Sequence, residues 1–159
     1  MEFIVPKSLK LEHDELHAEL AMVIKVGGKI GDSAKAVAEI LHPHFVKEEE
    51  YAMPPLGLLS ALAEGEVTAE MKNVLPMTDR LQAELPEMLK EHKTIISALI
   101  SLIDVAMEEN KMEYVRFADK LMLHAQNEEE VLYPASMLVG KYLKLEHAAT
   151  TENVRKTSK

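Results

Sequence analysis

Apolar residues recur at intervals of three and four along most of this chain, the spacing that lines side chains along one face of an α-helix. Leu9, His13, Leu16, Leu20, Val23 and Gly27 form one such stripe and predict a helix from Ser8 to about Val26. Gly27, Gly28 and Gly31 break it, and Asp32 or Ser33 is the expected cap of a second helix. That helix reaches about Met53, where Pro54-Pro55 ends it, and Pro43 is expected to kink it near His44. Residues 54–85 read as a long connector containing one short helical stretch, PLGLLSALAEG. A third helix is predicted from Pro86, in its first turn, to about Asn110, with Met88, His92, Ile95, Leu99, Leu102 and Ala106 on one face. A fourth starts near Glu113 and carries Phe117, Leu121, His124, Glu128 and Leu132 on its stripe. Pro134 interrupts it, and a short fifth piece, ASMLVGKYLKLEH, follows. Four long amphipathic helices with tight turns inside each pair predict an all-α, up-down four-helix bundle with a helical connector and a short C-terminal helix.

Composition narrows the class. The 159 residues suit a single domain, with a core at about 8–136, the connector at 54–85 and a polar tail at 150–159. Ten methionines, no tryptophan and abundant Ala, Leu, Glu and Lys favour helix over sheet. The net charge of −9 disfavours nucleic acid as a partner, because phosphate binding needs a positive field. The basic ending VRKTSK reads as a frayed terminus. No apolar run approaches the length of a membrane span, and MEFIVPKSLK lacks the features of a signal peptide, so a cytoplasmic location is expected. The absence of cysteine removes disulfides, thiolate ligands and a thiol nucleophile.

The chemistry lies in a repeat. His13 is followed by His44-x-x-x-Glu48, and His92 by His124-x-x-x-Glu128, with 31 and 32 residues between the first and second histidine. The surrounding text repeats too: LKLEHDEL and HFVKEEEYAMP in the first half answer MLKEHKTI and HAQNEEEVLYP in the second. Each His–His pair is centred on a turn, so an antiparallel hairpin brings its two histidines to one depth, roughly 24 Å from the turn. His-x-x-x-Glu puts both side chains on one helical face, one turn apart. Two carboxylates inside a bundle need compensation, and imidazole with carboxylate suits iron, manganese, zinc or copper. Four histidines and two glutamates exceed one tetrahedral zinc and suit two ions, each Glu able to bridge them. HDELH at 13–17 has Asp14 where a zinc protease carries its catalytic Glu, and Glu39-x-x-His42 is one half of a ferritin-like pair without a second copy. Met22, Met53, Met88 and Met122 read as core filler, His42 and His147 as surface residues, and the other acids of Glu48–Glu50 and Glu128–Glu130 as a solvated face. Tyr51 and Tyr133 stand close enough in sequence to reach the ligands, although core packing is the commoner role of such tyrosines.

The duplicated His–His–Glu motif resembles that of the hemerythrin-like family over about residues 8–136. The resemblance implies a four-helix bundle holding two non-haem iron ions through His13, His44, Glu48, His92, His124 and Glu128, with Glu48 and Glu128 bridging. Manganese or zinc are the lesser alternatives. Oxygen-carrying members use five histidines, the fifth four residues beyond the third-helix His, where this chain has Ile96. The internal repeat makes position 17 the counterpart of position 96, so His17 either completes a five-histidine set from the first helix or points past the metals to the helix edge. The implied function is binding of dioxygen, or a related diatomic such as nitric oxide, for storage, delivery or sensing. The alternative is reaction with nitric oxide or peroxide, or delivery of iron to damaged iron centres. The proteins that repair such centres usually carry a cysteine-containing N-terminal segment, and this chain has no cysteine.

Overall fold

The computed structural model describes the backbone of residues 3–157 and the side chains of residues 3–149. Helix α1 (Lys7–Lys25) turns sharply into α2 (Gly28–Lys47). The turn needs Gly27 and Gly28 because both have left-handed backbones, with φ of +73° and +58°, which side chains disfavour. In the second half, α4 (Leu75–Glu108) turns through Asn110, also left-handed at φ +56°, into α5 (Met112–Asn127). Helix α6 (Tyr133–Thr157) carries the chain on. The two hairpins pack into one bundle: α2 lies along α4, α4 along α5 and α1 along α2. No strand occurs among the described residues, and none of their helices is long and apolar enough to cross a membrane.

The expected stripes are the ones that are buried. Leu16, Leu20, Val37, Leu41, Ile95, Leu99, Leu102 and Leu121 fill the core between the polar centre and the hairpin turns. A second apolar layer, with Tyr51, Leu81, Met88 and Tyr133, closes the other side of the centre. The four segments that carry the buried histidines therefore pass between two dry layers, His92 sitting between Met88 and Ile95 on α4.

Several boundaries differ from expectation. Helix α2 begins at Gly28, ahead of Asp32 and Ser33. Pro43 is accommodated inside α2, and the departure from α geometry comes later, in a widened π-helical turn over Glu48–Ala52. Its counterpart over Glu128–Leu132 makes the irregularity part of the repeat. In each copy a proline follows, Pro54 and Pro134. A proline cannot donate to the carbonyl four residues back and its ring crowds that carbonyl, so a widened turn relieves both conflicts. Helix α4 starts at Leu75 and runs through Pro86, because Thr78 and Leu81 continue its buried stripe; packing overrides the proline signal. The connector thus shrinks to 54–74. It folds as a short helix, α3 (Leu59–Ala63), between 3₁₀ turns, and Leu58, Met71 and Val74 anchor it against Val139 and Leu143 of α6. Helix α6 extends into the stretch expected to be a polar tail, whose side chains lie outside the described residues. Met22 is exposed rather than core filler, while Met53 and Met88 are buried and Met122 packs partly against the core.

Candidate metal centre

Six polar side chains converge at one depth of the bundle. His13, His44, Glu48, His92, His124 and Glu128 are all buried, none more than 3% exposed. They form two groups, His13–Glu48–His124–Glu128 and His44–Glu48–His92–Glu128, each with ligand atoms within 4.8 Å of one another. Each group draws one histidine from each hairpin, and both glutamates belong to both groups.

The carboxylates divide their oxygens. Glu48 turns Oε2 to His13 Nε2 at 3.6 Å and Oε1 to His44 Nε2 at 3.2 Å. Glu128 turns Oε1 to His124 Nε2 at 2.8 Å and to His13 Nε2 at 3.5 Å, and Oε2 to His92 Nε2 at 3.3 Å. Ligand atoms about 2.1 Å from one ion and at right angles to each other lie roughly 3 Å apart, so these spacings fit an ion in each group. A second observation agrees. His13 Nε2, Glu48 Oε2, His124 Nε2 and Glu128 Oε1, the inward atoms of the first group, have no hydrogen-bond partner although they are buried. Buried polar atoms are ordinarily satisfied, and a cation between these four would satisfy them together. The residues therefore fit a pair of cations bridged by Glu48 and Glu128.

Around the centre, each histidine meets its own outer carboxylate. His44 Nδ1 donates to Glu91 at 2.6 Å, His92 Nδ1 to Glu129 at 2.9 Å, and His13 Nδ1 to Glu49 at 3.2 Å. His124 Nδ1 lies 3.2 Å from Glu12. These contacts fix each ring and leave Nε2 facing inward with its lone pair. The pattern is reciprocal: the acid preceding the first histidine of one half serves the second histidine of the other. Glu49 and Glu129 are thus not part of a merely solvated face. The repeated signal was the Glu-His pair at 12–13 and 91–92 and the Glu-Glu pair at 48–49 and 128–129.

Tyr133 is the other participant that spacing alone did not establish. Its buried hydroxyl donates to Glu48 Oε1 and lies 3.3 Å from His44 Nε2 and 3.2 Å from His92 Nε2. The second group therefore has an extra oxygen. The counterpart of Tyr133 in the first half is Met53, so the two groups are chemically unlike. Tyr51 turns away to donate to Glu84 at 2.7 Å, with the Arg80 guanidinium over its ring. His17 joins neither group. It lies one turn beyond His13, where its ring meets Phe45 edge-on and faces His42. Phe45 itself stacks flat on His13 at 4.0 Å.

Burial opposes the charged form of His44, but the hydrogen bond and field of Glu48, with Glu91, outweigh it and raise its pKa to about 9. His124 is raised to about 9 in the same way, burial being overcome by Glu128, Glu48 and Glu12. Burial and the field of Glu128 push Glu48 up against the pull of His44 and Tyr133. Burial also acts to raise Glu128, yet the imidazoles of His124, His13 and His92 close around it hold it well below the usual carboxylate range. The phenol of Tyr133 is driven upward by burial and by both glutamates, so it stays a donor.

A model of the hemerythrin HHE cation-binding domain matches residues 6–136, most of the chain and all of the residues of the candidate centre. No curated protein and no solved structure matches the chain.

Two outcomes follow from the site's electrostatics. His44 and His124 are raised from 6.5 to about 9, so their stabilisation is complete below about 6.5 and is lost as pH rises through about 9. The raised Glu48 acts in the same direction, since ionising it is penalised in the folded state. The lowered Glu128 contributes stability above about 4.5 that is lost on acidification. Urea unfolding of chelator-treated protein should therefore show greatest stability between about pH 5 and 6.5 and a decline toward pH 9. His44→Gln with His124→Gln should flatten the alkaline limb; a wild-type profile already flat there contradicts the assignment. Separately, Glu91→Gln, which weakens the anchor of His44, should lower metal affinity by roughly 10- to 100-fold while the helical circular dichroism is unchanged.

Proposed function

We propose that this chain, which belongs to the hemerythrin HHE cation-binding domain family, holds two iron ions and binds dioxygen or a related diatomic for storage, delivery or sensing. The observation that carries this reading is the division of carboxylate oxygens: Glu48 and Glu128 each offer one oxygen to each histidine pair. Such a set favours a metal of borderline softness that takes nitrogen and oxygen together, and it keeps two ions close enough to act jointly. When bound, a ferrous pair supplies electrons to a diatomic ligand at an open coordination position.

The protein's own contribution is positioning and exclusion. His13 and His124 serve the first group, and His44 and His92 the second. The outer carboxylates keep the Nε2 atoms aimed inward. Tyr133 places a neutral hydroxyl beside the second group and holds Glu48 by a hydrogen bond. The first group has no equivalent oxygen and keeps its four inward atoms unpartnered, which favours it as the side with room for the diatomic. Leu16, Phe45 and Leu121 on one side, and Met88 and Tyr133 on the other, keep bulk water from the site.

A second reading rests on the position of His17. With that ring turned to His42, four histidines and two glutamates remain, and each group would offer an ion two imidazoles and the shared carboxylates. That more open set favours reaction with nitric oxide or peroxide, or release of iron to damaged centres, over reversible carriage. Anaerobic reconstitution with ferrous iron, then exposure to air and removal of oxygen, separates the two in the visible spectrum. Absorption that appears with air and disappears on deoxygenation over repeated cycles is the expected result for a carrier. A change that air produces once and deoxygenation does not reverse would overturn carriage and support the reactive reading.

A further inference from the structure

The internal repeat pairs α1 with α4 and α2 with α5, so the seam between α1 and α5 is the counterpart of the seam between α4 and α2. The two seams are built differently. Helix α2 lies along α4 for much of its length, whereas α1 and α5 approach each other only locally. At the α2–α4 seam Glu91 accepts a hydrogen bond from His44 Nδ1 on one oxygen and from Lys47 on the other, so the lysine closes the outer side of that histidine. The matching residues at the α1–α5 seam are Glu12, His124 and Asn127. Where Lys47 stands three residues after His44, the shorter and neutral Asn127 stands three residues after His124.

A surface hollow of about 330 Å³ opens at that place, lined by Glu12, Lys120, Leu123, His124 and Asn127. His124 is thus both a wall of the hollow and a member of the first His/Glu group. It is also the least tightly held of the four imidazoles. The Nδ1 atoms of His13, His44 and His92 each hydrogen-bond to a carboxylate, while His124 Nδ1 lies 3.2 Å from Glu12 outside hydrogen-bonding geometry. The rim is acidic. Lys120 donates to Glu19 at 2.5 Å, and that bond, with the fields of Glu19, Glu15 and Glu12, raises the pKa of the lysine. Carboxylates that outnumber the one ammonium concentrate cations at the mouth.

We propose that metal ions enter and leave the buried centre through the hollow between α1 and α5, with Glu12 as the ligand that first receives them and His124 as the side chain they pass. The route rests on the reading of the six buried residues as a metal centre, which needs an entry path as well as ligands. At the α2–α4 seam the Lys47 ammonium stands against Glu91 and repels an approaching cation. At the α1–α5 seam the partly exposed Glu12 carboxylate faces water on one side and His124 on the other, so an ion exchanges water for oxygen before it meets imidazole. Entry here also delivers it to the group whose inward atoms lack partners.

The test follows ferrous ion anaerobically in the full chain, as uptake by metal-depleted protein and as extraction from loaded protein by a coloured chelator. Asn127→Trp fills the hollow and Asn127→Lys restores the lysine of the other seam. Each is expected to slow uptake and extraction by about tenfold or more, with the final metal content unchanged. Asn127→Ala keeps the hollow open, and Glu39→Trp fills a separate one lined by Lys35, Ala38 and His42; both should stay within about twofold of the wild-type rates. Asn127 is exposed at the end of α5, so its substitution spares the core. Unchanged rates in Asn127→Trp and Asn127→Lys overturn the route and leave the centre standing. Equal slowing in Asn127→Ala also overturns it, because loss of the amide and not filling of the hollow would then be the cause. A wild type that takes up no metal overturns the reading of the centre, and the route with it.

Discussion

The constraint on which the rest of the structure depends is the burial of Glu48 and Glu128. Each carboxylate is at most 1% exposed, in the middle of a helical bundle, and they share the field of one site. Charges removed from water this completely are costly by several kcal/mol unless they are paired and hydrogen-bonded. The chain supplies four imidazoles and a phenol inside the site, and four further carboxylates orient those imidazoles from outside. Even so, the inward atoms of one group stay without partners. A cation-binding domain is the arrangement in which that incompleteness has a use, because the same unpaired atoms are free to serve as ligands.

The bundle turns this local requirement into a global one. Two hairpins must hold their histidines at the same depth, so the glycine turn at 27–28 and the left-handed Asn110 set the register for the whole molecule. Apolar layers on either side make the site dry, which strengthens every electrostatic contact within it. The widened turns that begin at Glu48 and Glu128 sit where ligand delivery ends and a proline follows. Near-twofold symmetry is broken mainly by side chains: Tyr133 against Met53, Phe45 against Ala125, His17 against Ile96. Those differences give the two groups unlike environments within one repeated frame.

Much of this was legible in the sequence, for a physical reason. Helical spacing and hairpin geometry are both set by counting, so the repeat placed six His and Glu side chains at one level, and His92, Ile95 and Leu99 fell on the buried face as expected. What counting did not convey was decided by packing. The start of α4 at Leu75, through Pro86, follows from the burial of Thr78 and Leu81 across the bundle, which no local signal reports. The approach of Tyr133 to Glu48 depends on the widened turn preceding α6, since one additional residue in a turn rotates everything after it. The outer carboxylates were visible as repeated Glu-His and Glu-Glu pairs, yet which imidazole each one meets required the fold, Glu12 and Glu91 crossing to the other hairpin. The position of His17 was the least legible, because one helical turn beyond a ligand is near the centre in sequence but, past Phe45, faces a different neighbour.

The proposal that most needs testing is that each of the two His/Glu groups would hold one metal ion, with Glu48 and Glu128 serving both. Anomalous diffraction at the iron edge from crystals of the iron-loaded protein measures this directly. Two peaks roughly 3.5–4 Å apart, each between one histidine pair and an oxygen of both glutamates, are the predicted result. A single peak, or iron bound away from Glu48 and Glu128, would contradict it.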